Sequence, residues 1–159
     1  MTRIARTVLA CASASLLLAA CNRAADLLPR LAPAASVLEL RTLRVTGDSA
    51  VAVLHLSGTG SSVLGSVTAS VALDPREWTF VACAPVAAEA LVACHQGDAE
   101  LRIAAAWASG APAGALVTLT FIRKSGTAPP IWRLSATELH SALGHSLADS
   151  ITVRREGAP

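Results

Sequence analysis

Four histidines, four cysteines and scattered carboxylates are the side chains in this chain that could do chemistry. His140 and His145 lie five apart around Gly144, a spacing open to a metal ion but shared by two solvated loop histidines. His55 alternates with apolar neighbours in AVAVLHL and reads as an outward or internally satisfied strand residue. Asp74, Glu77 and Asp98 would be needed as a pair across a cleft for acid–base hydrolysis, and no spacing here places them so. Asp74-Pro75 is better explained as the turn that ends a strand. The glycine-rich GTGSS at 58–62 has neither the Gly-x-Ser-x-Gly of a nucleophile elbow nor the lysine of a phosphate loop. No catalytic, metal or cofactor set assembles, so a binding role is expected ahead of an enzymatic one.

Aromatic faces decide whether a sugar could be the ligand, because pyranose rings stack on exposed rings. Only three Trp and two Phe are present, with no Tyr. Trp107 and Phe121 fall on the apolar sides of alternating stretches, and Trp78 and Phe80 sit in a similar context. Trp132, following Pro129-Pro130-Ile131, is the one candidate for a surface contact. A planar sugar platform is therefore not expected, which favours a protein partner over a polysaccharide.

The composition limits what surrounds these residues. With 159 residues, 53% hydrophobic and 15% charged, the chain has matter for one core and too little length for two ordinary domains. Large apolar side chains are scarce, so the core must come from Val, Leu, Ile and Ala. The formal charge of +2 comes from Arg3 and Arg6 near the start. Beyond Arg123-Lys124 and Arg154-Arg155 no basic residues run together, so there is no electrostatic footprint for nucleic acid.

The first residues, MTRIARTVLACASASLLLAAC, have the logic of an export signal. Arg3 and Arg6 make a positive start, and Val8 to Ala20 is an apolar stretch of signal-peptide length, too short to span a bilayer as a helix. Leu18-Ala19-Ala20-Cys21 resembles the lipobox of bacterial lipoproteins, in which the cysteine thiol carries diacylglycerol. The resemblance implies cleavage before Cys21 and lipid attachment to it; an ordinary secretory signal ending near a cysteine is the alternative. Acyl chains at ~0.8 kcal/mol per buried methylene would hold the protein at a membrane without a transmembrane helix. Asn22 stands where Asp would mark retention in the inner membrane, which points towards the outer membrane. Residues 22–36, NRAADLLPRLAPAAS, carry little periodicity and read as a tether.

With Cys11 leaving in the signal and Cys21 acylated, Cys83 and Cys94 remain. An even pair in an exported domain implies a disulfide, closing a short loop at roughly 2 to 3 kcal/mol. The rival is a metal pair helped by His95, which lacks a fourth ligand and the usual short cysteine spacing.

From Val37 onward the rhythm becomes two-residue alternation. In GSVTASVAL at 65–73, Val67, Ala69, Val71 and Leu73 share one face, and Thr68 and Ser70 the other. Leu101, Ile103, Ala105 and Trp107 alternate with Glu100 and Arg102, and Val117, Leu119 and Phe121 with Thr118 and Thr120. Further strands are expected at 37–45, 50–56, 78–84, 131–134 and 151–154, whereas 86–91 and 135–143 read as short helical turns. Gly, Pro, Ser and Asp punctuate the gaps. The pattern predicts an all-β fold, an antiparallel jelly-roll or immunoglobulin-like sandwich of eight or nine strands.

The order of AVAVLHL, GSVTASVALDPREWTFV, ELRIAAAW, GALVTLTFIRK and the closing SATELHSALGHSL resembles cohesin-like modules, relatives of certain carbohydrate-binding modules. That resemblance implies attachment to a protein partner, classically a calcium-binding dockerin module, or a link to polysaccharide degradation. The expected organisation is a signal peptide at 1–20, a lipid-anchored tether at 21–36 and a sandwich at 37–156. Its role is a non-enzymatic binding or scaffolding module at the cell envelope; a carbohydrate-binding module and a purely structural envelope lipoprotein are the alternatives. Metabolic labelling with palmitate should tag the wild-type protein and leave Cys21→Ser unlabelled. Label on the variant would rule out the lipobox.

Overall fold

Most strands here alternate a covered apolar side with an exposed one, a pattern that a sheet with one buried face satisfies. The computed structural model describes residues 36–58, 64–127 and 130–154. The expected signal peptide, Cys21 and the tether up to residue 35 lie outside the described residues. Ser36 already begins the first strand and so belongs to the sheet rather than the tether.

Nine strands follow in order, and no helix occurs among the described residues. They are β1 (Ser36–Thr46), β2 (Ser49–Ser57), β3 (Leu64–Ala72), β4 (Trp78–Pro85), β5 (Ala90–Gln96), β6 (Glu100–Trp107), β7 (Gly114–Arg123), β8 (Arg133–Ser141) and β9 (Ile151–Arg154). One sheet has the order β4-β7-β2-β1-β9 and the other β5-β6-β3-β8. All pairs are antiparallel except β1 and β9, where the first and last strands lie parallel with Ser36 opposite Ile151. The expected jelly-roll sandwich is the architecture observed.

Alternation places the core between the sheets. Leu54, Leu119 and Phe121 of one sheet and Val71, Leu101 and Ile103 of the other are fully buried in a single cluster. The rule breaks where β7 buries Leu116 and Val117 in succession. A register shift against β2, between Leu54 and His55, leaves Leu116 as the extra residue of a bulge.

Four of the five aromatic side chains gather at one end of this core. Trp132 stacks on Phe121 at 4.3 Å between ring centroids, and Trp78 meets it edge-on at 5.8 Å. Phe80 packs edge-on against Phe121 at 6.0 Å. Trp132 is only 2% exposed, and its indole N–H donates to Thr42 Oγ1 at 3.0 Å. The expected surface contact at Trp132 is thus corrected. Its ring fills the space between the sheets just before β8, and Thr42 satisfies the one polar atom that burial would otherwise strand.

Of the two expected helical turns, 86–91 is a single turn, with the Ala90 amide donating to the Ala87 carbonyl, that passes into a strand at Ala90, and 135–143 is corrected. Residues 90–96 form β5 and 133–141 form β8, so the short strand expected at 131–134 instead starts at Arg133 and runs through the segment read as helical. Alanine, leucine and glutamate favour helices locally, but the outer edges of the β6–β3 pair offer ladder pairing to each segment, and that pairing outweighs the small bias.

One glycine is demanded by a close approach. A Cβ at Gly65 would stand 2.4 Å from the backbone of Ala142, beside the register shift between Leu64 and Ser66. Replacement Gly65→Ala should therefore cost about 1–3 kcal/mol in urea unfolding, because backbone rather than a flexible side chain must move. Trp132→Ala should cost about 3–5 kcal/mol; a loss under ~1 kcal/mol would contradict its place in the core.

Candidate docking face

The outer face of the β5-β6-β3-β8 sheet can be rebuilt from its register. Leu91 lies opposite Ala106, which lies opposite Ser66. One step along, Ala93, Ala104 and Thr68 form a row that continues to Glu138. The next row is His95, Arg102 and Ser70, reaching Ser135 on β8. The face is therefore low and apolar towards β5, and polar towards β8.

Its polar half is already hydrogen-bonded to itself. Thr68 Oγ1 donates to Glu138 Oε2 at 3.2 Å, and the Ser70 and Ser135 hydroxyls are 2.8 Å apart. Arg102 Nε donates to Glu100 Oε1 at 2.7 Å. In the apolar half, Leu91 is 76% exposed, and a shallow depression of about 370 Å³ opens between it and Thr68, floored by Ala93, Ala104 and Ala106. Alanine methyls let a partner's backbone come close, and Leu91 supplies apolar area to cover. An apolar centre with a polar rim is the anatomy of a protein interface.

The opposite sheet presents a different surface. Glu39 on β1 is 5% exposed although it points outward, because Arg41, Arg154 and His55 enclose it. Arg41 Nε donates to its Oε1 at 2.6 Å and Arg154 Nη1 to its Oε2 at 2.8 Å, so the last strand is clasped to the first. Arg41 Nη1 lies 3.3 Å from His55 Nε2. Since a guanidinium can only donate, Nε2 accepts, and the ring in this arrangement is neutral.

The cysteines are joined. Cys83 of β4 and Cys94 of β5 form a disulfide across a sequence separation of 11, with Cα atoms 6.4 Å apart. The bond does more than close a loop after a strand, as the sequence implied: Cys94 lies within β5, and the bridge ties the edge of one sheet to the edge of the other. Both sulfurs being bonded to each other, they are not ligands for a metal with His95.

The remaining candidates are accounted for locally. Arg76 N–H donates to Asp74 Oδ1 at 2.9 Å, and the amides of Glu77 and Trp78 donate to the Asp74 carbonyl, so this carboxylate organises a turn. His145 lies in the tight turn after β8, where its carbonyl accepts from Ser141 N–H, and His140 bridges to Ser146. Among the described residues no three His, Cys, Asp or Glu side chains are grouped to hold a metal. The residues that sequence reasoning missed are Leu91 and Ala93. The alternation of Leu91, Ala93 and His95 with Val92, Cys94 and Gln96 was the available signal, hidden by the helix-favouring VAAEAL just before it.

At the level of sequence, no protein-family model and no curated protein matches the chain. The fold does have likenesses. The sixth cohesin of scaffoldin B from Acetivibrio cellulolyticus, solved in complex with a mutant Cel5 dockerin, superposes with a TM-score of 0.59 at 16% identity over 77% of this chain and 96% of that one. A non-cellulosomal cohesin from Archaeoglobus fulgidus gives a TM-score of 0.61 at 11% identity, covering 75% of this chain and 86% of that one. The second type II cohesin of the adaptor ScaA scaffoldin, again from Acetivibrio cellulolyticus, gives 0.59 at 12%, covering 79% and 98%. The described domain therefore has the cohesin-like β-sandwich fold.

Burial pulls the His55 imidazole below its usual value near 6.5, the Arg41 charge adds to the effect, and Glu39 opposes it. With the folded value lowered, the stability gained from a neutral ring is complete above pH 6.5 and is lost as pH falls through that value towards the folded one. The urea midpoint of the wild-type protein should therefore drop more between neutral and mildly acidic pH than that of His55→Gln. Equal slopes would show that His55 does not titrate against this cluster.

Proposed function

We propose that this chain is a non-catalytic, lipid-anchored docking module of the cell envelope that binds a protein partner through the outer face of the β5-β6-β3-β8 sheet. The observation that carries it is the open, small-residue depression beside Leu91, rimmed by side chains that already satisfy one another. A partner that covers it gains apolar burial without stranding a charge. The cohesin-like fold supports the same role, since several of the similar modules were solved bound to dockerins. A dockerin-like module is the partner we favour, and a place near polysaccharide-degrading enzymes follows if that partner is attached to one. A sugar ligand fits less well, because Trp78, Trp107, Trp132 and Phe121 are all buried and cannot form a platform. The anchor rests on the lipobox at Cys21.

The test is capture of dockerin modules by the soluble protein, with and without a calcium chelator, beside a polysaccharide array. One dockerin class should bind in a calcium-dependent way. Ala104→Arg should weaken capture by ~100-fold or more, as an unpaired charge is buried at the centre of the interface. Thr120→Arg, on the opposite sheet, should leave it unchanged. Glycan binding abolished by Ala104→Arg, with no protein captured, would replace this function with carbohydrate binding.

A further inference from the structure

The strand that carries the apolar side of this face is weakly held by the rest of its sheet. β5 is an edge strand, hydrogen-bonded along one side only, to β6. Its outward residues Leu91, Ala93 and His95 are exposed, and of its inward residues only Ala90 is fully buried. Val92 and Cys94 pack against the core while staying partly exposed. So little apolar burial gives a strand small resistance to fraying. Two links join it to the facing sheet: the Cys83–Cys94 bond, and the amide of Phe80 donating to Gln96 Oε1 at 3.0 Å. Both run to β4, whose own register shifts between Phe80 and Ala82 at this place.

We propose that the Cys83–Cys94 bond is a positioning device for the docking face, holding β5 beside β6, so that the face is complete in the oxidised protein and loses its Leu91 side on reduction. The proposal rests on the docking function only for what the face is used for. The chemistry is a two-electron exchange. A dithiol reductant attacks one sulfur, the Sγ–Sγ bond breaks, both cysteines end as protonated thiols, and the reductant leaves as its own disulfide. Both cysteines are partly exposed, so a small dithiol can reach them. The rest of the sheet depends less on the bond, because β3 is paired on both sides and buries Val67, Ala69 and Val71.

Hydrogen exchange read by mass spectrometry on the full chain, before and after dithiothreitol, tests this without any partner. Reduction should speed exchange of the amides of β5 and of the β6 amides facing it by ~10-fold or more, while β2 and the β3–β8 pairing change by less than about twofold. A Cys83→Ser/Cys94→Ser variant should show the same pattern. If that variant does not fold, wild-type protein pulsed with deuterium soon after dithiothreitol is added reads the same strands in order of release, and β5 should go first. Unchanged β5 exchange would overturn the proposal, and so would equal, simultaneous loss in β2 and β3, which would make the bond a staple of the whole sandwich. Failure to capture a dockerin would count against the docking function and leave this result standing.

Discussion

Two sheets stay together here because every strand turns an apolar side towards the other sheet. With few large side chains, that contact is made mostly of Leu, Val, Ile and Ala, each contributing little and each needing a neighbour. The alternation is therefore not a decoration of the strands but the condition for their existence, since a strand with two polar sides would have nothing to pack against. The aromatic group at one end compensates for the thin aliphatic layer: Trp132, Phe121 and Trp78 fill in one place what many alanines cannot. Using the rings as core matter leaves none for the surface, and this is why the exterior lacks a stacking platform for sugars.

Once the inner faces are spent on each other, the outer faces are free to differ. The five-stranded sheet uses its exterior to close the fold, with Glu39 enclosed between Arg41, His55 and Arg154 where the first strand meets the last. Such a pair counts for more by fixing the geometry of the parallel β1/β9 seam than by net stability, because exposed arginines are well screened. The four-stranded sheet carries no comparable clasp at its apolar end. Its charges, Glu100 paired with Arg102 and Glu138 bonded to Thr68, are engaged at the border of the alanines, leaving a surface with something to gain from contact.

Legibility followed the strength of alternation. β3, β6 and β7 were readable almost residue by residue, because most of their buried positions hold Val, Leu, Ile or an aromatic ring and alternate with Thr, Ser, Glu or Arg, although β6 also exposes Ala104 and Ala106. β5 and β8 were not, since alanine is compatible with either face and either structure, and glutamate and leucine in VAAEAL and SATELHSAL fit a helical period as well. The disulfide pairing was evident from the count of cysteines, but its place was not. Only with Cys94 inside β5 does the bond become a bridge between sheets. Trp132 shows the reverse case, where a proline-rich approach looks like a loop while the side chain is drawn inward by Phe121 and Thr42.

Residue order alone was enough for the class of fold, the position of most strands and the inward side of each. These are local properties: period, turn chemistry and short motifs are complete within a few neighbouring residues. Which strands become neighbours, that β5 rather than β4 borders the apolar depression, and that Leu91, Ala93, Ala104 and Ala106 meet on one surface, emerged only in three dimensions. Pairings between residues far apart in the chain depend on the packing of both sheets at once, and no single stretch of sequence contains that information.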